Sequence, residues 1–128
     1  DATIEGVDAN QNGIRDDVEL AIFEKYPNSP YTRAAELQYA MALQLYLTEV
    51  FNSETWRAVA NQSSRASMCL STTYPRTNLE EYFVVIERRV AEVESYQLNT
   101  EARRQAKDRT DEFTTSGGSD DRNYCDIN

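Results

Sequence analysis

The sequence predicts an all-α protein, a small bundle of four to five helices forming one domain over residues 1–128. Three observations lead there. Glycine and proline are scarce, four and three in 128 residues, whereas Ala, Glu, Arg, Gln and Leu are common, a helix-forming composition. In the first, third and fourth of its apolar stretches the apolar residues recur mainly at steps of three and four. The turn-forming residues fall in clusters, at Pro27–Pro30, Asn52–Ser53 and Pro75–Asn78, leaving helix-length stretches between them. A chain of this length buries roughly two-thirds of its unfolded surface, enough for a real core.

The first helix follows from Ile14, Val18, Ala21, Ile22 and Tyr26, which share one helical face. It is expected to begin near Ile14 and to end before Pro27, because proline restricts the residue that precedes it. Pro27-Asn28-Ser29-Pro30 then reads as a tight turn. The second helix is expected from Thr32 to Phe51. Its apolar residues, Leu37, Tyr39, Met41, Leu43, Leu45, Leu47, Val50 and Phe51, leave Arg33, Glu36, Gln38, Gln44 and Glu49 as a narrow polar face. A helix apolar nearly all round is a buried one, so this is the expected centre of the bundle, or is partly covered by a second subunit.

Asn52 and Ser53 offer an N-cap for the third helix. Its inward stripe reads Trp56, Val59, Ala60, Ser63, Ser67, Leu70 and Tyr74, and Pro75 stops it. The small residues in mid-stripe permit close helix approach, or else line a cavity. Asn78 caps the fourth helix, where Leu79, Phe83, Ile86, Val90 and Val93 are spaced as a narrow bundle seam. Arg88 and Arg89, with Glu81 and Glu92 in reach, read as a solvated charged face. Leu98-Asn99-Thr100-Glu101 reads either as a break or kink, the favoured reading, or as an unbroken passage into a fifth helix. No Gly or Pro interrupts it, and Leu98, Ala102, Ala106 and Phe113 stay roughly in phase. Thr114 to Asp121, with Gly117-Gly118, predicts a flexible linker, and residues 115–128 form a tail.

The stretch that speaks to function is Asp8-Ala9-Asn10-Gln11-Asn12-Gly13-Ile14-Arg15-Asp16-Asp17-Val18-Glu19. Oxygen-bearing side chains stand at positions 1, 3, 5, 9 and 12 of this twelve-residue stretch, with glycine at position 6. Calcium takes six to eight oxygens, and alternate residues of a curled loop point inward while the backbone carbonyl of position 7 adds one more. The expected ligands are therefore Asp8, Asn10, Asn12, the Ile14 carbonyl, Asp16 and Glu19. These residues also suit a plainer arrangement: Asn-Gly favours a turn, and Asp16, Asp17 and Glu19 suit the positive end of a helix dipole. Both arrangements start a helix near Ile14.

The stretch resembles the Asp-x-Asp-x-Asp-Gly loops of the EF-hand superfamily, most closely those of thrombospondin type 3 and dockerin-like repeats, in which Ile follows the glycine. The resemblance covers about a tenth of the chain and implies a structural calcium ion held by the matching residues. Positions 3 and 5 are Asn in place of Asp, and two fewer charges imply weak binding, roughly 10⁻⁴–10⁻³ M as in extracellular modules. The loop occurs once, and residues 1–7 are too short for an entering helix, unlike a paired sensor EF-hand.

Composition excludes several kinds of function. A net charge of −9 argues against nucleic acid, which needs a basic footprint. No apolar run approaches the eighteen or so residues of a membrane span. The chain has no histidine, which removes the commonest general base and the Glu-x-x-His pairs of a four-helix di-iron site. Glycine-rich phosphate loops and nucleophile elbows are absent, and Glu80 and Glu81, being adjacent on a helix, point apart. The chain is expected to be non-enzymatic.

Two cysteines, Cys69 and Cys125, suggest a disulfide, which would close a loop of about 56 residues and contribute roughly 4 kcal/mol on the chain-entropy model. Such a bridge beside an exported-type calcium loop predicts an extracytoplasmic protein, periplasmic or secreted. A start at Asp1 rather than Met suggests a mature or trimmed form. Tyr39, Tyr46 and Trp56 are candidates for a ligand or partner surface, although a tyrosine stripe more commonly borders a core. Two functions remain open. One is a calcium-stabilised helical interaction module whose partner is another protein or a second copy; the other is a small-ligand carrier or sensor with a pocket lined by Tyr46, Trp56, Ser63 and Ser67.

Overall fold

A computed structural model describes residues 3–115 and 124–126, in which five α-helices follow one another: α1 (Asp16–Lys25), α2 (Pro30–Thr48), α3 (Ser53–Leu70), α4 (Leu79–Gln97) and α5 (Glu101–Arg109). A 3₁₀ turn at Thr110–Phe113 continues α5, and no strand occurs among the described residues. The helix starts follow from local chemistry. Pro30 occupies the first turn of α2, where a missing N–H costs nothing. Asn52 Oδ1 accepts from the Thr55 N–H at 2.9 Å while Thr55 Oγ1 accepts from the Asn52 N–H at 3.0 Å, a reciprocal cap on α3. Asn78 Oδ1 caps α4 by accepting from Glu81 N at 3.1 Å, and Thr100 Oγ1 caps α5 by accepting from Arg103 N at 3.1 Å. Each such cap contributes about 1 kcal/mol.

The central helix is α2, against which α1, α3, α4 and α5 all pack. Its alanines Ala35, Ala40 and Ala42 are buried, so neighbouring helices approach its backbone closely. The core gathers Ile14, Val18 and Ile22 with Ala35, Tyr39, Ala40 and Leu43 of α2, Ala66, Cys69 and Leu70 of α3, and Val93 of α4. The all-α bundle, the turn before α2 and the break between α4 and α5 agree with the sequence reading.

The faces of the helices agree less well. Helix α2 stops at Thr48, and Phe51 is 66% exposed in the link that follows. Glu36 and Gln44, expected on the polar face of α2, are buried instead. On α3 Val59 and Leu70 are buried and Trp56, Ala60 and Ser63 half-buried, as the stripe predicts, but Ser67 is exposed and Ala66 and Cys69 take the buried places beside it. On α4 the expected seam fails at its start: Leu79 and Phe83 are 58% and 57% exposed, while Tyr82, Val93 and Gln97 are buried. Tyr82 can be buried because its hydroxyl donates to Ser71 O at 2.6 Å, and Gln97 because its amide donates to Ala40 O at 2.7 Å. A polar end that finds a partner lets an amphipathic side chain take a core position. Arg89 is likewise not on a solvated face: it donates to Thr73 O and Oγ1 at 2.9 and 2.7 Å and lies over the rings of Tyr26 and Tyr74.

Cys69 and Cys125 form the disulfide, their Cα atoms 4.9 Å apart. The tail is also held without it. Gln38 on α2 brackets the tail, donating to Tyr124 O at 2.8 Å and accepting from Asp126 N at 2.9 Å, and Arg65 pairs with Asp126 at 2.7 Å. The stretch 116–121 of the expected linker lies outside the described residues. Among the described residues no helix is long and apolar enough to cross a membrane.

Candidate metal centre

The stretch from Asp8 to Glu19 is a closed loop that runs directly into α1. Asp16 N donates to Val7 O at 2.8 Å, bringing the two ends together. Inside, both Asp8 carboxylate oxygens accept backbone N–H groups, from Asn12 at 3.2 Å and Gly13 at 2.9 Å, and Ile14 N donates to Asn12 Oδ1 at 3.0 Å. The curl needs left-handed backbone at Gln11 (φ +56°) and Gly13 (φ +84°). Glycine adopts that conformation at no steric cost, which is the physical reason for Gly13 at this place.

Glu19, one turn into α1, reaches back over the loop. Asn10 Nδ2 donates to one of its oxygens at 3.2 Å and Asn12 Nδ2 to the other at 2.7 Å. Asp16 instead accepts Ala9 N with both oxygens, each at 3.2 Å. The fold thus brings Asn10 and Asn12 to Glu19, leaves the Asp8 and Asp16 carboxylates on the loop's own backbone, and buries the side chain of Ile14 in the core. Among the described residues no group of three or more acidic, histidine or cysteine side chains is arranged to hold a metal ion. The donor types are nonetheless those a hard cation takes: three carboxylates, two amide oxygens and a backbone carbonyl, with no nitrogen or sulfur. Binding would require the Asn10 and Asn12 amides to exchange their N–H₂ groups for oxygen towards the ion, a rotation about one soft terminal torsion each that at Asn12 also gives up the bond from Ile14 N.

Two residues outside the expected ligand set fix this loop to the bundle. Arg15 is 1% exposed. Its guanidinium donates to Tyr96 O at 2.8 Å, Gln97 O at 3.2 Å and Asn99 Oδ1 at 3.2 Å, satisfying carbonyls at the C-terminus of α4. It also forms a two-pronged pair with Asp17, at 2.6 and 3.0 Å, and that hydrogen bond holds the Asp17 carboxyl below its usual range. Arg103 of α5 is buried beside it and donates to Thr3 O, Ile4 O and Asn99 Oδ1 at 2.7, 3.1 and 2.7 Å. Desolvation, and next to it the Arg15 charge, lower its affinity for its proton. The α4–α5 corner is therefore a socket for the N-terminal segment. Gly6 (φ +67°) completes it, because a Cβ there would lie 2.1 Å from Arg15 Cδ. An arginine in a calcium-type loop carries no signal that it is buried, so sequence reasoning passed over it.

The aromatic candidates are placed differently from one another. Tyr39 is a core residue, 8% exposed, and donates to Glu94 at 3.3 Å, so it presents no surface. Tyr46 is half-buried with Lys107 Nζ 4.5 Å from its ring centre, and Trp56 is half-buried near the start of α3. Exposed apolar side chains also line a cleft of about 250 Å³ between the end of α3 and the start of α4, formed by Met68, Arg76, Leu79, Tyr82, Phe83 and Ile86. No family model, no curated protein and no solved structure matches this chain.

Proposed function

We propose that this chain is an exported, non-enzymatic helical interaction module whose N-terminal loop is ordered by one structural calcium ion. The observation that carries the reading is the position of Glu19, which faces back across the loop with both oxygens met by Asn10 and Asn12. An ion there would take Asp8, Asn10, Asn12, the Ile14 carbonyl, Asp16 and Glu19 as ligands. Its effect would be structural, because an ion that binds only the folded chain stabilises it by mass action. The disulfide supports an oxidising compartment. The exposed apolar residues Met68, Leu79 and Phe83 beside the α3–α4 cleft support a partner, another protein or a second copy.

Thermal unfolding with calcium and with chelator tests the ion. At a tenfold excess over its dissociation constant calcium should add about 1.4 kcal/mol, or roughly 5 °C in midpoint for a chain of this size. Glu19→Gln should lose most of that rise while melting normally in chelator. An unchanged midpoint at millimolar calcium would remove the site.

A further inference from the structure

Glu36 lies on the inward face of α2, 0% exposed, and neither of its carboxyl oxygens accepts a hydrogen bond. The groups that face it come from two other helices. From α4 come Glu92, Arg89 and Tyr96, and from the C-terminal end of α1 comes Tyr26. The cations do not neutralise it. Arg89 is committed to Thr73 at 2.9 and 2.7 Å, and Lys25 stands 3.8 Å from Glu92 rather than at Glu36. The nearest hydroxyl is spent as well, since Tyr26 donates to Glu92 Oε2 at 2.7 Å. A carboxylate here would be a buried anion beside a second carboxylate, with no donor to replace water. A carboxylic acid would have a partner at once, because its O–H can donate to the Glu92 carboxylate.

We propose that Glu36 is a protonated acid that shares its proton with Glu92, and that this carboxyl pair is a pH-sensitive latch joining α1, α2 and α4. At alkaline pH the latch opens by loss of the Glu36 proton to solvent, which leaves two adjacent anions inside the bundle. Burial first, and then the Glu92 hydrogen bond and charge, push the Glu36 carboxyl up to about 9 from an ordinary value near 4.5. The folded chain therefore binds one more proton than the unfolded chain between those two values. Stability from this group is whole below the lower value and is lost as pH rises towards the upper one.

The test follows the Glu36 side-chain carboxyl carbon by ¹³C NMR from pH 4 to 10, with melting midpoints in the same buffers, for the wild type, Glu36→Gln and Glu92→Gln. In the wild type Glu36 should remain protonated through pH 7, and the midpoint should fall steadily from pH 5 to 9. Glu36→Gln, a neutral donor of the same shape, should flatten that fall and melt higher than the wild type at pH 8. Glu92→Gln should lower the Glu36 titration by more than one pH unit, a tenfold change in proton affinity. Titration of Glu36 in the ordinary carboxylate range, or no movement of it in Glu92→Gln, would overturn the proposal even if Glu36→Gln failed to fold.

Discussion

Gly6 and Gly13 both hold positive φ, at +67° and +84°, yet they do different work. A Cβ at Gly13 would meet only ordinary contacts, the nearest Met41 Cγ at 3.5 Å, so Gly13→Ala should cost backbone strain alone, about 1 kcal/mol. At Gly6 the same methyl would also strike the buried stem of Arg15, which cannot swing aside without leaving the carbonyls of Tyr96 and Gln97. Gly6→Ala should therefore cost about 2–3 kcal/mol, read as a lower urea midpoint at unchanged slope. Equal losses at the two glycines would mean that the Arg15 contact does little to hold the segment. The sequence marked Gly13, because Asn-Gly within a ligand-spaced loop has a local signature. Gly6 and Arg15 it left unmarked, because their partnership is with a corner formed more than eighty residues away.

Two helix starts were legible because a cap is local chemistry: Asn52 and Asn78 act on N–H groups three residues on, and Thr100 does the same for α5 without having been singled out. Helix faces were less so. An apolar pattern assigns Leu79 and Phe83 to the core, and the fold prefers Tyr82 and Gln97 because each finds a carbonyl for its polar end. The same blindness hid Glu36, a charged residue by type that is uncharged by circumstance. At this scale the tail tests what the disulfide adds. Its chain-entropy contribution is roughly 4 kcal/mol, but Gln38 and Arg65 also hold the segment. Cys125→Ser should lose about 2–4 kcal/mol in chemical unfolding, and the Tyr124 and Asp126 amides should become faster in hydrogen exchange. If the variant unfolds with the wild-type midpoint, the hydrogen bonds alone secure the tail.

For the molecule as a whole, one chain of contacts links the acidic loop to the bundle. The loop closes on Val7, Arg15 carries it into the α4–α5 corner, and Glu19 stands on the helix whose Val18 and Ile22 are core residues. Calcium binding in the loop, as proposed, should therefore be felt in the corner as well as at residues 8–19. The direct measurement is a calcium titration of the ¹⁵N-labelled protein followed by amide chemical shifts. One saturable site is expected, with a dissociation constant of roughly 10⁻⁴–10⁻³ M. Its shifts should be concentrated in residues 8–19 and at Tyr96, Gln97 and Asn99, and should be absent in Glu19→Gln. Weak shifts scattered over the acidic surface, still rising at the highest calcium and unchanged by Glu19→Gln, would contradict a calcium-ordered module.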